Sequence, residues 1–172
     1  MEHPIFSIST KPDQRIRRYE NRGNFIEVTP SVKGLATVHD RDVLIFCISQ
    51  IMAALNQGQK VSQTLRFKAY DLLTATNRRT GGDSYLRLKD ALERLRRTSI
   101  TTNIIGEGQE QLDGFGLIES FKVVRETRDG RMQEVEIKLS DWVFDAIRHN
   151  EVLTINRDYF RLRKPLERRI YE

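Results

Sequence analysis

Cysteine and histidine are scarce in this chain, and their scarcity excludes several kinds of site. The single cysteine, Cys47, lies within an apolar run, so no internal disulfide can form and a reducing cytoplasm is the expected compartment. The three histidines, His3, His39 and His149, are far apart and lack the spacing of a zinc cluster. We therefore expect no metal site.

Catalytic motifs are also missing. The sequence contains no Gly-x-x-x-x-Gly-Lys loop, which excludes a P-loop ATPase, and it lacks the paired-histidine motif of metal-dependent nicking enzymes. Acidic pairs such as Asp40 and Asp42 are typical of helix caps and solvated charges rather than of acid–base machinery. We expect no catalytic residues, no cofactor and no enzymatic activity.

Long hydrophobic runs are absent as well. The longest apolar stretch, residues 43–48, is interrupted by Ser49 and is too short to cross a bilayer. The first residues lack the basic-then-apolar order of a secretory signal. No membrane partner is expected.

Positive charge is in modest excess, and its distribution is informative. The chain of 172 residues has 29 Lys and Arg against 24 Asp and Glu, which gives a net charge of +5. Basic residues concentrate in stretches 11–22, 78–97 and 157–169, and most of them are arginines. The planar arginine fork suits phosphate oxygens and guanine edges. This pattern favours a nucleic-acid partner, although a plain solvated surface is the more common meaning of a charge cluster.

The first two thirds of the chain predict three helices in succession. Residues 1–39 carry several prolines and glycines and read as an irregular lead-in, with one short strand near residues 24–28. Apolar residues then recur at helical spacing, which predicts a first helix from Asp40 to Gly58. A short strand at 65–67 and a second helix at 68–76 follow. A basic turn at 77–82 then leads into a third helix, from Asp83 or Ser84 to about Thr98. In this third helix Tyr85, Leu88, Leu92 and Leu95 form the buried stripe.

After Thr98 the hydrophobic period changes to that of strands. Residues 100–104 alternate, and glycines at 106, 108 and 114 predict a loose polar connection. Runs 115–127 and 132–139 predict a β-hairpin, because Asp-Gly lies between them. Ser140 then caps a short helix through Arg148. Three helices followed by a hairpin predict an α+β fold, a winged helix (a helix-turn-helix with a β-hairpin wing).

This fold interpretation assigns candidate DNA contacts to the third helix and to the hairpin. Guanidinium and ammonium groups reach phosphates, and a serine at a helix start suits a phosphate. The candidate DNA-binding residues are Arg78, Arg79, Ser84, Arg87, Lys89, Arg94, Arg97, Arg128 and Arg131. The alternative is that these charged residues only stabilise an exposed helix through ion pairs, Asp90 with Arg94 and Glu93 with Arg97.

Two segments give the sequence a family likeness. Residues 81–95, Gly-Gly-Asp-Ser-Tyr-Leu-Arg-Leu-Lys-Asp-Ala-Leu-Glu-Arg-Leu, resemble the third-helix region of theta-type plasmid replication initiators of the initiator-protein-A kind. Residues 159–172 resemble the junction at which such initiators pass into a second winged helix. The resemblance implies binding of double-stranded DNA at plasmid origin repeats, a homodimer and contacts with host replication proteins such as the helicase.

The expected organisation has three parts: an irregular lead-in at 1–39, a winged-helix domain at 40–156, and at 157–172 a linker with the start of a second winged helix. On this hypothesis the chain is the N-terminal part of a longer protein. Two other functions stay open. One is a dimeric winged-helix transcriptional regulator; the other is a protein-interaction or dimerisation domain with little DNA affinity, pairing through sheet edges such as Val135–Leu139.

Overall fold

The structure, a computed structural model, describes residues 5–106, 108–125, 132–149 and 157–171. Within these ranges the elements follow in the order β1 (Arg17–Asn21), β2 (Asn24–Thr29), α1 (Arg41–Asn56), β3 (Thr64–Lys68), α2 (Ala69–Ala75), α3 (Gly82–Arg97), β4 (Ser99–Gly106), β5 (Gln109–Gly116), β6 (Ile118–Arg125), β7 (Met132–Leu139), α4 (Asp141–Arg148), a 3-10 helix (Arg157–Arg161) and α5 (Pro165–Tyr171). Among the described residues, no helix is both long enough and apolar enough to span a membrane.

Helices α1, α2 and α3 and a three-stranded sheet form the winged helix. The sheet has the order β3-β7-β6, with both pairs antiparallel, so the strand between α1 and α2 joins the hairpin that follows α3. This is the connectivity expected of a winged helix, and the predicted fold class is confirmed. Residues 126–131, which include the predicted hairpin turn at 128–131, lie outside the described residues.

The buried stripes of the helices lie where the sequence pattern predicts. On α3, Leu88, Leu92 and Leu95 are completely buried, and Tyr85 packs partly buried against the same core. The helix itself begins at Gly82, with Gly81 in the capping position and no side-chain cap, so the prediction of an Asp83 or Ser84 cap was wrong. The helix starts earlier than predicted because the Ser84 amide already donates to the Gly81 carbonyl at 3.0 Å, which places Asp83 and Ser84 inside the first turn.

Strand β7 is the central strand of its sheet. Its Val135, Ile137 and Leu139 are buried against the helices, as their alternation with charged residues predicts. Because β3 and β6 occupy both of its edges, β7 has no free edge for another chain. The alternative in which this strand pairs with a neighbouring molecule was therefore wrong.

A second sheet, of order β1-β2-β4-β5, is added to the winged helix. Its β4–β5 hairpin is inserted between α3 and β6, where the glycines at 106, 108 and 114 predicted a loose connection; that prediction was wrong. The pattern failed because β5 is an edge strand whose residues 109–112 are exposed, so it carries no apolar alternation. Backbone pairing with β4 holds it, from Ser99 opposite Gly116 to Gly106 opposite Gln109.

Residues 5–39 contain more regular structure than the sequence pattern indicates. Strand β2 confirms the short strand expected near residues 24–28, and β1 pairs with it although its charged sequence gave no strand signal. Apolar side chains of this segment, among them Val28, Leu35 and Val38, belong to the same core as the helices. The division of the chain at residues 39 and 156 stays a prediction.

Candidate nucleic-acid interface

The outward face of α3 is defined by the stripe that α3 buries. Because Leu88, Leu92 and Leu95 point into the core, the charged residues between them are directed outward or toward neighbouring segments. The side chain of Arg87 is 79% exposed, and its nearest carboxylate, Asp83, is equally solvated and 3.4 Å away. Such a contact contributes little. Arg87 is therefore available to an external anion.

The turn before α3 is fixed by backbone and side-chain hydrogen bonds. Asn77 has a left-handed backbone (φ +56°), a conformation that asparagine tolerates better than most residues, and the Arg78 amide donates to the Leu73 carbonyl at 2.8 Å. The Arg78 guanidinium donates to the His39 carbonyl and lies 3.4 Å from the Asp42 carboxylate. Arg78 thus ties the turn to the start of α1. Its neighbour Arg79 is exposed.

Arg94 is engaged in the interior rather than at the surface. Its Nε and one Nη donate to the two carboxylate oxygens of Asp40 at 2.6 and 2.8 Å, and Asp40 is buried. This hydrogen-bonded pairing raises the pKa of Arg94 above its usual value. The bidentate pair joins the last turn of α3 to the N-terminal end of α1.

Lys33 of the N-terminal segment lies beside two acidic residues of α3. The Lys33 ammonium lies 2.5 Å from an Asp90 carboxylate oxygen and 2.8 Å from Glu93. Asp90 and Glu93 are therefore paired with Lys33, and the alternative pairs of Asp90 with Arg94 and of Glu93 with Arg97 were wrong. At the start of α3 Ser84 is partly exposed and Arg87 is exposed, and Arg97 is exposed at its end.

A buried polar cluster anchors the segment that follows α4. Arg168, almost completely buried, donates to the buried Asp42 carboxylate and, through Nε at 2.7 Å, to the Leu162 carbonyl. Tyr159 is also buried; its hydroxyl accepts from Arg41 at 2.5 Å, and its ring lies 4.8 Å from the Arg168 guanidinium carbon. Burial raises the pKa of Tyr159, which keeps this hydroxyl protonated. The cluster holds residues 157–168 against α1.

These segments enclose an open cleft of about 580 Å3. Its lining comes from residues 9–12, from the segment 33–40, from the turn before α3, from α3 itself, and from Phe160, Leu162, Arg163 and Arg168. The basic side chains that line it are Lys11, Lys33, Arg78, Arg79, Arg87, Arg94, Arg163 and Arg168. Of the described residues, Asp40 is the one carboxylate in this lining, and both of its oxygens accept from Arg94. Three of these cations, Lys11, Arg79 and Arg163, have no carboxylate within 4.0 Å among the described residues, so the cleft is electropositive where they lie.

The sequence model of the Replication initiator protein A family matches residues 1–172. The chain belongs to the replication initiator protein A family. A putative replication protein of Wigglesworthia glossinidia brevipalpis is 39% identical over 176 residues, an alignment that takes in all of this chain and 63% of that protein. This member of the family thus spans less than two thirds of the length of that relative.

The fold of this family member is similar to that of two solved structures of RctB domains. A crystal structure of domains 2 and 3 of RctB superposes with a TM-score of 0.72 at 12% identity, covering 96% of this chain and 65% of that one. A second structure of RctB domains 2–3 gives a TM-score of 0.66 at 14% identity, covering 90% and 61%. At these identities the likeness concerns the fold alone.

The structure separates the predicted contact residues of this family member into groups. Arg79, Ser84 and Arg87 lie together at the cleft with their side chains wholly or partly exposed. Arg78 and Arg94 also line the cleft, but both hold other parts of the fold together. The prediction that Arg94 faces outward was wrong, because its guanidinium is hydrogen-bonded to the buried Asp40 carboxylate.

The remaining candidates lie elsewhere. Lys89 and Arg97 are on α3 but outside the cleft, and Arg97 is exposed at the end of the helix. Arg128 and Arg131 fall outside the described residues. Sequence reasoning missed Lys11 and Arg163 as site residues; both belong to basic stretches that the composition singles out, yet only the tertiary fold brings them to the turn before α3.

Proposed function

We propose that this chain binds double-stranded DNA through the start of α3 and the turn before it, and that it recognises repeats at a plasmid origin. The observation that carries the proposal is that Arg79, in the turn before α3, and Arg87, in the second turn of α3, are both exposed and both line the electropositive cleft. In helix-turn-helix proteins the residues near the start of the recognition helix contact base edges. Ser84, partly exposed on the first turn, adds a hydroxyl suited to a phosphate.

Membership in the replication initiator protein A family supports a role at an origin rather than at an unrelated operator. Binding rather than catalysis is the activity that the exposed cations suit, since arginine and lysine supply charge and hydrogen-bond donors to phosphate. Homodimerisation and contacts with host replication proteins such as the helicase stay predictions.

Fluorescence anisotropy with labelled duplexes tests the proposal. We expect the chain to bind repeats from its own origin more tightly than shuffled duplexes, and both affinities to fall as salt rises, by a factor of about 3.5 per phosphate contact between 50 and 200 mM. Salt-sensitive binding without preference for the repeats would mean that the chain contacts DNA phosphates but does not recognise the origin sequence. A failure to bind either duplex at low salt would refute the proposal.

A pair of arginines on one helix separates DNA contact from folding. Arg87→Gln should weaken duplex binding about 5- to 10-fold at low salt and leave thermal stability unchanged, because its side chain is solvated. Arg94→Gln should instead lower the free energy of unfolding by about 1–3 kcal/mol, because it leaves the buried Asp40 carboxylate without its bidentate partner. Anisotropy and urea unfolding on both variants measure these effects. If Arg87→Gln left the affinity for duplex DNA unchanged, the proposal that α3 contacts DNA would be wrong.

A further inference from the structure

We infer that the cleft seats the duplex backbone through two further cations, Lys11 and Arg163, which come from segments outside the helix-turn-helix. This inference rests on the proposed duplex binding and extends it: phosphate would be held between the N-terminal segment, the turn before α3 and the segment after α4. The DNA would then contact one continuous cleft rather than a single helix.

The first support is that these cations form no ion pair with the described part of the chain. Lys11 and Arg163 are exposed and line the cleft with Arg79, and none of the three has a carboxylate within 4.0 Å among the described residues. By contrast, Arg78, Arg94 and Arg168 in the same lining each contact a carboxylate. Cations that share a cleft without counter-ions repel each other, and an anionic ligand removes that repulsion.

The second support is that the backbone beside each of these cations is fixed. Next to Lys11, the segment packs so closely on Gly34 (φ +97°) that a Cβ there would lie 2.9 Å from the Asp13 amide nitrogen. The Leu35 amide donates to the Asp13 carbonyl at 2.9 Å, and the buried Asp13 carboxylate accepts from Arg17 at 2.8 Å. Lys11 therefore extends from a rigid position, which lowers the entropic cost of binding.

The other two cations are fixed in a related way. Arg79 follows Arg78, whose guanidinium is bound to α1. Arg163 follows Leu162, whose carbonyl accepts from the buried Arg168, and Asn77 of the turn donates to the Phe160 carbonyl at 3.5 Å. The turn before α3 and the segment after α4 are thus in direct contact. The two walls of the cleft have a set separation before any ligand binds.

A duplex backbone suits this cleft better than a small anion does. The cleft is open on one side and its volume, about 580 Å3, is many times that of one phosphate group. Its cations are distributed over three walls rather than directed at one point. Arg87 and Ser84, which α3 presents to DNA in the proposed function, lie on the same lining, so a backbone that enters the cleft passes beside the recognition helix.

The test compares two double variants of the full chain by anisotropy with labelled duplex. Lys11→Gln with Arg163→Gln should weaken binding about 10- to 100-fold at low salt and reduce the slope of log affinity against log salt by about 1.8, since each lost contact contributes about 0.9. The matched control is Lys60→Gln with Arg161→Gln, which removes the same charges from exposed side chains outside the cleft lining. The control should lose less than about twofold in affinity.

Three results of the binding experiments would overturn the inference, and they are distinguishable. If the unsubstituted chain fails to bind duplex, the proposed function fails and the inference fails with it. If Arg87→Gln weakens binding while the Lys11 and Arg163 double variant keeps the original affinity and slope, the proposed function stands and the inference alone is wrong. If submillimolar sodium triphosphate displaces the duplex far better than sodium chloride of equal ionic strength, the cleft is a small-anion site.

Thermal unfolding of the same proteins excludes a folding defect. The Lys11 and Arg163 double variant should unfold at the temperature of the unsubstituted chain or slightly above it, because it removes cations that lack carboxylate partners. A marked loss of thermal stability in this variant would mean that the two side chains serve the fold, and would overturn the inference.

Discussion

Replacing Asp42 with asparagine is expected to lower the free energy of unfolding by about 3–5 kcal/mol. Asp42 and Arg168 are both almost completely buried, and the guanidinium donates directly to the carboxylate. The substitution keeps the size of the side chain and removes its charge, so Arg168 would remain buried without a counter-charge. Arg78, 3.4 Å from the other oxygen of Asp42, would lose its partner at the same time.

Urea unfolding followed by circular dichroism measures this loss. The double variant Asp42→Asn with Arg168→Met should be more stable than the sum of the single changes implies, because it removes both charges from the interior. Arg161→Met is the matched control: Arg161 lies in the same segment but is 79% exposed, and its loss should change stability by less than about 0.5 kcal/mol. Equal effects of the Arg161 and Arg168 substitutions would contradict the buried cluster.

Replacing Leu92 with alanine is expected to lower the free energy of unfolding by about 2–5 kcal/mol. Leu92 is completely buried in the middle of α3 and belongs to the core shared by the helices and both sheets. Alanine removes three carbon atoms and leaves a cavity, since the surrounding side chains can collapse only partly. Both the lost burial and the cavity destabilise the fold.

The same helix provides the control for this prediction. Leu86, one and a half turns earlier, is 59% exposed, and Leu86→Ala should change stability by less than about 0.5 kcal/mol. Denaturant midpoints of the two variants give the comparison. A stable Leu92→Ala combined with a destabilised Leu86→Ala would mean that α3 is rotated, and the assignment of Arg87 to the outer face would then be wrong.

The parts of the fold that could be predicted from sequence are those determined by local periodicity or by a cap. The stripe of α3 recurs at helical spacing, and Ser140 accepts from the Val143 amide at the start of α4 as its sequence predicts. The strands of the β6–β7 hairpin alternate as buried strands do. Strands β1 and β5 escaped prediction because they are polar edge strands, held by backbone pairing that leaves no hydrophobic pattern.

The candidate site could be predicted only in part, for a related reason. Its place at the start of α3 follows from the order of elements and from the basic turn. The ion pairs that decide which arginines are free join residues 54, 57 and 126 positions apart, namely Arg94 with Asp40, Lys33 with Asp90 and Arg168 with Asp42. No spacing rule relates such residues, so sequence reasoning assigned Arg94 to the surface and did not bring Lys11 and Arg163 to the cleft.

The insertion of the β4–β5 hairpin after α3 has a consequence for the order in which the chain folds during synthesis. Strand β2 pairs with β1 beside it in sequence, but its other partner is β4, and the Phe25 amide donates to the Asn103 side chain 78 residues later. Likewise Gln63, just before β3, contacts the Leu139 carbonyl 76 residues later. All three helices of the winged helix leave the ribosome before either sheet can close. Because pairing distant in sequence is slow, helix packing comes first and sheet closure sets the folding rate.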